Sequence, residues 1–232
     1  MSRVYDEIVS LGVGCRVTYN LRRTFGIRHA FPFDWWVTPL PALVAFLDDP
    51  SLDRLYDPQH LKPVWKDGER FAIRNVHYDI ELHHEFPRRP DGFVGEDWLD
   101  HLDQPRARTA HVWNRFNALP ATARKVLFVR EFIKSDRTRP PGQTTALTAA
   151  VMAALERRLP GLDFGLLLID SPEKVALPKV AHVKIGDRNT DDFRGTPDLW
   201  TERLLGTGFS RTDSADRLDT ETLPERDQLA YV

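Results

Sequence analysis

Short, mainly apolar runs, separated by segments with helical spacing, constrain the fold of this chain more than any other sequence feature. The runs are typical of buried strands and lie at residues 8–11, 126–129, 166–169 and 180–185. Helical spacing of apolar residues occurs at residues 16–25, 40–47, 98–119, 144–159 and 199–205. Buried strands that alternate with helices form parallel sheets with helices on both faces. The sequence therefore predicts an α/β fold with a mostly parallel sheet.

The domain organisation follows from the length and from one irregular stretch. A chain of 232 residues suits one large domain. After the second helix, residues 51–97 hold much of the aromatic and histidine content, and alternation near Phe71 and Tyr78 indicates short strands or extended chain. We therefore predict a single α/β domain over residues 1–209, with an irregular insertion at residues 51–97, and an acidic tail over residues 210–232.

The charge balance and the apolar segments limit the partners. With 32 Lys and Arg against 34 Asp and Glu, the chain lacks the basic excess of a protein that neutralises many phosphates, so no nucleic-acid partner is expected. No segment approaches the ~20 apolar residues of a membrane span. Charged residues near the start, among them Arg3 and Asp6, argue against a signal peptide. We expect a cytoplasmic protein with a small-molecule or peptide substrate and no cofactor.

The chain has one cysteine, which excludes an internal disulfide and a cysteine-rich zinc site. Cys15 follows a predicted strand and the turn Gly12-Val13-Gly14, and it lies at the start of a predicted helix. A helix N-terminus lowers a thiol pKa, so the pattern is typical of a nucleophile. Gly12 and Gly14 allow close approach of a substrate and could direct backbone donors to an oxyanion. The alternative is a small buried apolar residue.

A nucleophilic cysteine needs a base, and the adjacent His83 and His84 are the most suggestive candidates. Neighbouring side chains of extended chain point to opposite faces, so at most one of the two enters a shared cleft. A metal site built from His77, His83, His84 and Glu85 is the competing interpretation. It lacks a recognised ligand spacing, and we expect no metal.

Asp34 is the third candidate, because four aromatic residues surround it within residues 31–36. A carboxylate in apolar surroundings needs a partner, and as the third member of a triad it would orient the base histidine. It could equally pair with Arg22, Arg23 or Arg28, or cap a backbone turn.

Several weaker candidates have two interpretations each. Arg115 and Arg130 could bind an anionic substrate group, or they could serve packing and surface ion pairs. Asp170 and Asp187 follow apolar strands, where the carboxyl ends of a parallel sheet collect ligand-binding groups, but they could also cap loops.

Three segments carry a family resemblance. Residues 10–15 (Ser-Leu-Gly-Val-Gly-Cys), 20–23 (Asn-Leu-Arg-Arg) and 31–35 (Phe-Pro-Phe-Asp-Trp) resemble motifs of a bacterial family of domains of unknown function, catalogued as papain-like cysteine peptidases. Residues 84–86, 115–116 and 126–130 resemble later motifs of that family, so the match spans roughly residues 8–170.

The resemblance implies that Cys15 is the nucleophile and His84 the base, with Asp34 as a third member. Glu85 stands where the family usually has aspartate, and the Cys-Gly-Ser-Cys-Trp signature of true papain enzymes is absent.

Three functions are compatible with these features. The first is a cysteine-dependent hydrolase or acyl transferase. The second is an esterase-like hydrolase on a flavodoxin-like sheet, although His182 is the only histidine after Phe164 and no late Asp-x-x-His occurs. The third is a non-catalytic binding module linked to glycan or surface-polysaccharide enzymes. A separation below ~4 Å between the Cys15 sulfur and a nitrogen of His83 or His84 would favour the first.

Overall fold

The structure, a computed structural model, describes residues 3–187, 189 and 192–212. Its strands are β1 (Val4–Tyr5), β2 (Glu7–Ser10), β3 (Trp36–Val37), β4 (Leu61–Lys66), β5 (Glu69–Asn75), β6 (Ile80–Leu82), β7 (Lys125–Glu131), β8 (Asp163–Ile169), β9 (Val180–Val183) and β10 (Ser210–Arg211). Its α-helices are α1 (Cys15–Phe25), α2 (Leu40–Asp48), α3 (Leu52–Leu55), α4 (Asp103–Asn117), α5 (Leu119–Thr122), α6 (Lys134–Arg137), α7 (Gln143–Arg158) and α8 (Pro197–Gly206). A 3-10 helix covers Trp98–His101.

The predicted parallel sheet forms from the four apolar runs. The strand order is β2-β7-β8-β9 and every neighbouring pair is parallel. Val9 lies opposite Phe128, and Phe128 lies opposite Leu166. All residues of β2 are buried, as are all but the first residues of β7 and β8, which explains their continuously apolar pattern.

Successive residues of these strands belong to two hydrophobic clusters. Val9, Phe128 and Leu166 pack in one cluster, and their neighbours Ile8, Leu127 and Leu167 pack in the other. This alternation follows from the two-residue period of a strand, which sends consecutive side chains to opposite faces.

A second sheet corrects the prediction of a mostly parallel fold. It has the order β3-β6-β5-β4, and all its pairs are antiparallel. Much of the stretch predicted as an irregular insertion is therefore regular. A two-residue turn joins β4 to β5, where Asp67 and Gly68 have φ of +52° and +84°. Asp-Gly is a strong hairpin signal in any sequence, so the dipeptide itself indicates this turn.

The described chain ends in a short third sheet. Strand β10 pairs in parallel with β1, with Val4 opposite Ser210 and Tyr5 opposite Arg211. The segment predicted as an acidic tail therefore begins with two strand residues. The rest of that predicted tail, residues 213–232, lies outside the described residues.

Helix α1 covers Cys15–Phe25, and Gly26 with φ of +65° is its left-handed C-cap. Helix α2 begins at Leu40, directly after Pro39. Its N-cap residue is Pro39, which has no side chain to accept a hydrogen bond. Instead, the backbone N–H of Leu40 donates to the carboxylate of Asp136 at 3.0 Å. A residue remote in sequence therefore caps this helix.

The helices predicted at residues 144–159 and 199–205 occur close to their expected bounds, as α7 and α8. The stretch predicted as helical at residues 98–119 divides into the 3-10 helix, α4 and the start of α5. Among the described residues, none of the helices is both long enough and apolar enough to cross a membrane.

Candidate active site

The turn before Cys15 has an unusual backbone. Gly12, Val13 and Gly14 have φ of +85°, +96° and +124°. Positive φ is accessible to glycine but strained for a β-branched residue such as Val13. Strain of this kind persists only where surrounding structure enforces it, and it is frequent near functional sites. The turn carries the chain from the end of β2 to the start of α1 at Cys15.

The two glycines of the turn lie in different surroundings. A Cβ at Gly12 would lie 2.8 Å from Thr38 Oγ1, and the N–H of Gly12 donates to Ser10 Oγ at 3.2 Å. Gly12 is therefore a close-packing position, and its N–H is already engaged, contrary to the expectation that it faces an oxyanion. A Cβ at Gly14 would meet no atom within 4 Å. The space beside Gly14 is open to a ligand.

The Cys15 sulfur lies 2.8 Å from Nε2 of His84. His83, the other candidate, has its Nδ1 3.6 Å from Glu81 Oε1, and its ring packs against Phe71 at 4.5 Å between centroids. The structure therefore brings His84, and not His83, within hydrogen-bond distance of the thiol.

The environment changes the pKa of the thiol in the direction opposite to the prediction. Burial raises the pKa of Cys15 to about 11, although the backbone N–H of Cys15 and the charge of Arg88 lower it. The predicted net lowering of the Cys15 pKa is therefore wrong, although the backbone N–H at the helix start acts in the predicted direction. The cost of placing a thiolate in a partly desolvated site outweighs the nearby donors.

Burial also disfavours the charged form of the His84 imidazole. Desolvation lowers the pKa of His84 to about 3, and the charges of His83 and Arg88 contribute. At neutral pH the thiol is protonated and the imidazole is uncharged. The resting pair is thus a neutral thiol next to a neutral base.

The side chain and the main-chain oxygen of Glu85 both have polar partners. Its Oε1 accepts a 2.9 Å hydrogen bond from Trp36 Nε1, and its Oε2 lies 3.7 Å from the Arg108 guanidinium. Arg108 also donates to the main-chain oxygen of Glu85 at 2.7 Å. Burial raises the pKa of the Glu85 carboxyl. These contacts fix the backbone directly after His84.

The Asp34 carboxylate is buried and has partners other than the imidazole. It accepts hydrogen bonds from Thr18 Oγ1 at 3.3 Å, Arg22 Nη2 at 3.4 Å and the backbone N–H of Phe31 at 3.0 Å. Burial raises its pKa, against the opposing effect of Arg22. Of the two interpretations left open by the sequence, these contacts match pairing with Arg22 and a backbone turn.

An indirect path nevertheless connects Asp34 with His84. The Arg22 guanidinium lies over the Trp35 ring, 5.3 Å from its centroid. The Trp35 ring in turn meets the His84 ring edge to face at 5.9 Å. Asp34 therefore holds a cation that packs on the aromatic neighbour of His84.

Arg115 on α4 donates to protein groups. Its Nη1 binds the main-chain oxygen of Ala30 at 2.8 Å, and its Nη2 lies 3.0 Å from His111 Nε2. These contacts support the segment that leads into Phe31, which is a packing role rather than the anion-binding role considered from sequence.

Arg130 is buried, whereas the sequence suggested a surface ion pair. Its guanidinium lies 2.9 Å from the Asp136 carboxylate, and the two side chains are 1% and 0% exposed. Arg130 also donates to the main-chain oxygen of Leu11 at 2.9 Å. It therefore supports the residue directly before the glycine turn.

The sequence did not single out Arg88, which the structure places beside the candidate pair. Its Nη2 donates to the main-chain oxygen of Phe71 at 3.2 Å and to that of His83. The local pattern gave no signal, because Arg88 follows a turn and makes these contacts with residues that only the folded sheet brings together.

The two aspartates at the strand ends cap loops. Asp170 accepts from the backbone N–H groups of Ile185 and Gly186, and Asp187 accepts from the N–H of Thr196. Across the described residues, no group of three or more His, Cys, Asp or Glu side chains is arranged to hold a metal ion.

Comparisons with known proteins agree with the resemblance. The profile of the family described as "putative papain-like cysteine peptidase (DUF1796)" matches residues 6–173. No curated protein and no solved structure matches the chain. The family description supports a cysteine hydrolase in general terms. Because the match covers well over half of the 232 residues, the chain belongs to this family of papain-like cysteine peptidases.

Proposed function

We propose that the protein is a cysteine-dependent hydrolase or acyl transferase in which Cys15 is the nucleophile and His84 the general base. The observation that carries this proposal is the 2.8 Å separation between Cys15 Sγ and His84 Nε2. This is the distance over which a base accepts a proton from a nucleophile. A peptide or small molecule with an amide, ester or thioester group is the expected substrate.

The reaction begins from the neutral pair. As Sγ forms its bond to the substrate carbonyl carbon, the thiol proton moves to Nε2 of His84 and the carbonyl oxygen becomes an oxyanion. The imidazolium then gives that proton to the leaving group as the carbonyl–leaving-group bond breaks. Water or a second nucleophile, deprotonated by His84, releases the acyl group and regenerates the thiol.

The backbone at the start of α1 is suited to the oxyanion. The N-cap residue of α1 is Gly14, which has no side chain to cap the helix. The first N–H groups of a helix have no partner within the helix, and the open space beside Gly14 admits a carbonyl oxygen. We assign the oxyanion site to the N–H groups of Gly14 and Cys15. Gly12 is left out because its N–H donates to Ser10.

We assign Asp34 a positioning role instead of direct contact with the base. Its carboxylate holds Arg22, and Arg22 packs on Trp35, the aromatic neighbour of His84. Packing against Trp35 restricts the rotation of the His84 ring and so keeps Nε2 directed to the sulfur.

We further infer that helices cover both faces of the parallel sheet and that the protein is cytoplasmic. Residues of α1 and α8 belong to the cluster that contains Leu127, whereas residues of α2, α4 and α7 belong to the cluster that contains Phe128. A reducing compartment suits a mechanism that needs a free thiol.

The alternatives have less support. An esterase of the flavodoxin-like kind would need a late histidine next to its nucleophile. His182 instead has its Nε2 3.0 Å from the main-chain oxygen of Val175. A binding module gives no reason for a thiol and an imidazole at 2.8 Å.

Acylation of the single cysteine tests the proposal. Treatment with p-nitrophenyl acetate should acetylate Cys15, and mass spectrometry of the peptide that contains it measures the rate. His84→Gln should slow acetylation by about 100-fold or more, because the general base is lost. His83→Gln is the matched control and should stay within about twofold of the wild type. Equal rates in the wild type and His84→Gln would rule out His84 as the base.

A further inference from the structure

Arg88 is a half-buried cation that has no carboxylate partner in the described part of the chain. Among the described residues, its guanidinium donates to three main-chain oxygens, those of Phe71, His83 and Gly92. The next residue, Arg89, is different, because it pairs with Glu69 at 2.6 Å and Asp91 at 2.7 Å. Carbonyl groups satisfy donors but do not neutralise charge, so no carboxylate of the described residues compensates the positive charge of Arg88.

The Arg88 charge lies near the candidate catalytic pair, Cys15 and His84. One of its acceptors, the His83 oxygen, belongs to the peptide bond that joins His83 to His84. The cation is close enough to Cys15 and His84 to act on both: it lowers the pKa of the thiol and that of the imidazole. In return, the Cys15 thiolate raises the pKa of Arg88.

The resting pair does not balance this charge. Cys15 is protonated and His84 uncharged at neutral pH, so neither supplies an anion. Burial lowers the pKa of Arg88, which reflects the cost of partial desolvation of its guanidinium. A partly desolvated cation is stabilised by a bound anion.

The known contacts leave donors for a ligand. Nη2 directs its two N–H groups to Phe71 and His83, and Nη1 directs one to Gly92. A guanidinium has five N–H donors, so the groups on Nε and the second on Nη1 stay unused by the described residues. The Nε–H points to the Nη2 side of the guanidinium, away from Nη1, so each of the two unused donors can form a separate hydrogen bond with an anionic oxygen.

We propose that Arg88 binds a small anionic group of the substrate, such as a carboxylate, next to the carbonyl that Cys15 attacks. This inference rests on the proposed function and adds a specificity-determining residue to it. It predicts that acyl donors with a negative charge close to the scissile bond are preferred to neutral donors of the same size.

Two alkylating reagents test this without a known substrate. Iodoacetate and iodoacetamide both transfer a two-carbon group to a thiolate with loss of iodide, but only iodoacetate carries a carboxylate. Because Cys15 is the only cysteine, total labelling reports on this site alone. The measured quantity is the ratio of the iodoacetate rate to the iodoacetamide rate at one pH. Both reagents attack the same thiolate and are similar in size. The fraction of thiolate and the access to the sulfur therefore affect both rates equally and cancel in the ratio.

The wild-type ratio should exceed that of a small free thiol by about fivefold or more. Arg88→Gln should lower the ratio to near the small-thiol value, and Arg88→Lys should keep part of the excess because the charge remains. Arg89→Gln is the matched control and should keep the wild-type ratio, since Arg89 pairs with Glu69 and Asp91. A wild-type ratio equal to that of the small thiol would overturn the proposal, as would an equal fall in Arg89→Gln.

The result is independent of acyl transfer. If p-nitrophenyl acetate fails to acylate Cys15 while Arg88→Gln still lowers the ratio, the anion site stands and the proposed hydrolase fails. If acylation depends on His84 but the ratio shows no excess, the proposed hydrolase stands and the role of Arg88 fails.

Discussion

The guanidinium of Arg130 and the carboxylate of Asp136 form an ion pair at 2.9 Å with both side chains buried. The pair joins two segments that position the candidate site. Arg130 donates to the main-chain oxygen of Leu11, just before the glycine turn, and Asp136 accepts from the N–H of Leu40 at the start of α2. Burial lowers the pKa of Arg130 to about 10, against the attraction of Asp136.

Removal of one partner should therefore be costly. We expect Asp136→Ala to lower the free energy of unfolding by about 3–5 kcal/mol, because it leaves the Arg130 charge buried without a counter-ion. Urea denaturation followed by tryptophan fluorescence measures the change. The control is Asp198→Ala, which breaks an ion pair with Arg23 whose side chains are 41% and 91% exposed, and it should cost less than about 1 kcal/mol. Similar losses in the two variants would contradict the assigned role of the buried pair.

The pH dependence of alkylation tests the neutral resting pair. With a Cys15 pKa of about 11, the thiolate fraction grows as pH rises and falls about tenfold for each pH unit below that value. The rate with iodoacetamide should therefore keep rising well above the pH at which a small free thiol reaches its plateau. A plateau that begins in the acidic range would show a preformed thiolate and would contradict the neutral pair.

Asp34 and Arg22 should act as one unit. If Asp34 positions His84 through Arg22 and Trp35, Asp34→Asn and Arg22→Gln should each slow acylation of Cys15 by about tenfold. The double variant should be no slower than either single variant, because both remove the same contact. A nearly normal rate in Arg22→Gln, with a large loss in Asp34→Asn, would instead indicate that Asp34 touches the imidazole directly.

The two glycines of the turn should differ in their tolerance of alanine. Gly12→Ala adds a Cβ 2.8 Å from Thr38 Oγ1, so we expect a loss of about 2–4 kcal/mol in the free energy of unfolding. Gly14→Ala meets no neighbour, so only backbone strain of about 1–2 kcal/mol is expected. In a Thr38→Ala background, Gly12→Ala should cost less. Equal losses for Gly12→Ala in both backgrounds would show that the contact with Thr38 is unimportant.

Local patterns predicted the parts of the fold that local forces determine. The apolar runs of β2, β7 and β8 and the helix α1 lie where the sequence indicated. The antiparallel sheet was missed, although the Asp67–Gly68 turn between its first two strands in the chain was a usable signal. Its polar, partly exposed strand β4 has a weak apolar pattern, and this hid the pairing.

The chemistry of the site was harder to predict, because it depends on tertiary contacts. Helix position alone indicated a lowered pKa for Cys15, but burial by residues far away in the chain reverses the shift. Asp34 could be identified as a carboxylate in need of a partner, yet its choice of Arg22 over other partners needed the fold. Arg88 has no local signature at all, since its acceptors come from β5 and from the residues after β6.

Cys15 and His84 follow strands of two different sheets. Cys15 follows β2 of the parallel sheet, and His84 follows β6 of the antiparallel sheet, 69 positions later. During synthesis the thiol therefore emerges long before its base, and it stays an ordinary cysteine until the antiparallel sheet has formed and docked. The onset of His84-dependent acylation would therefore report when the two sheets have docked.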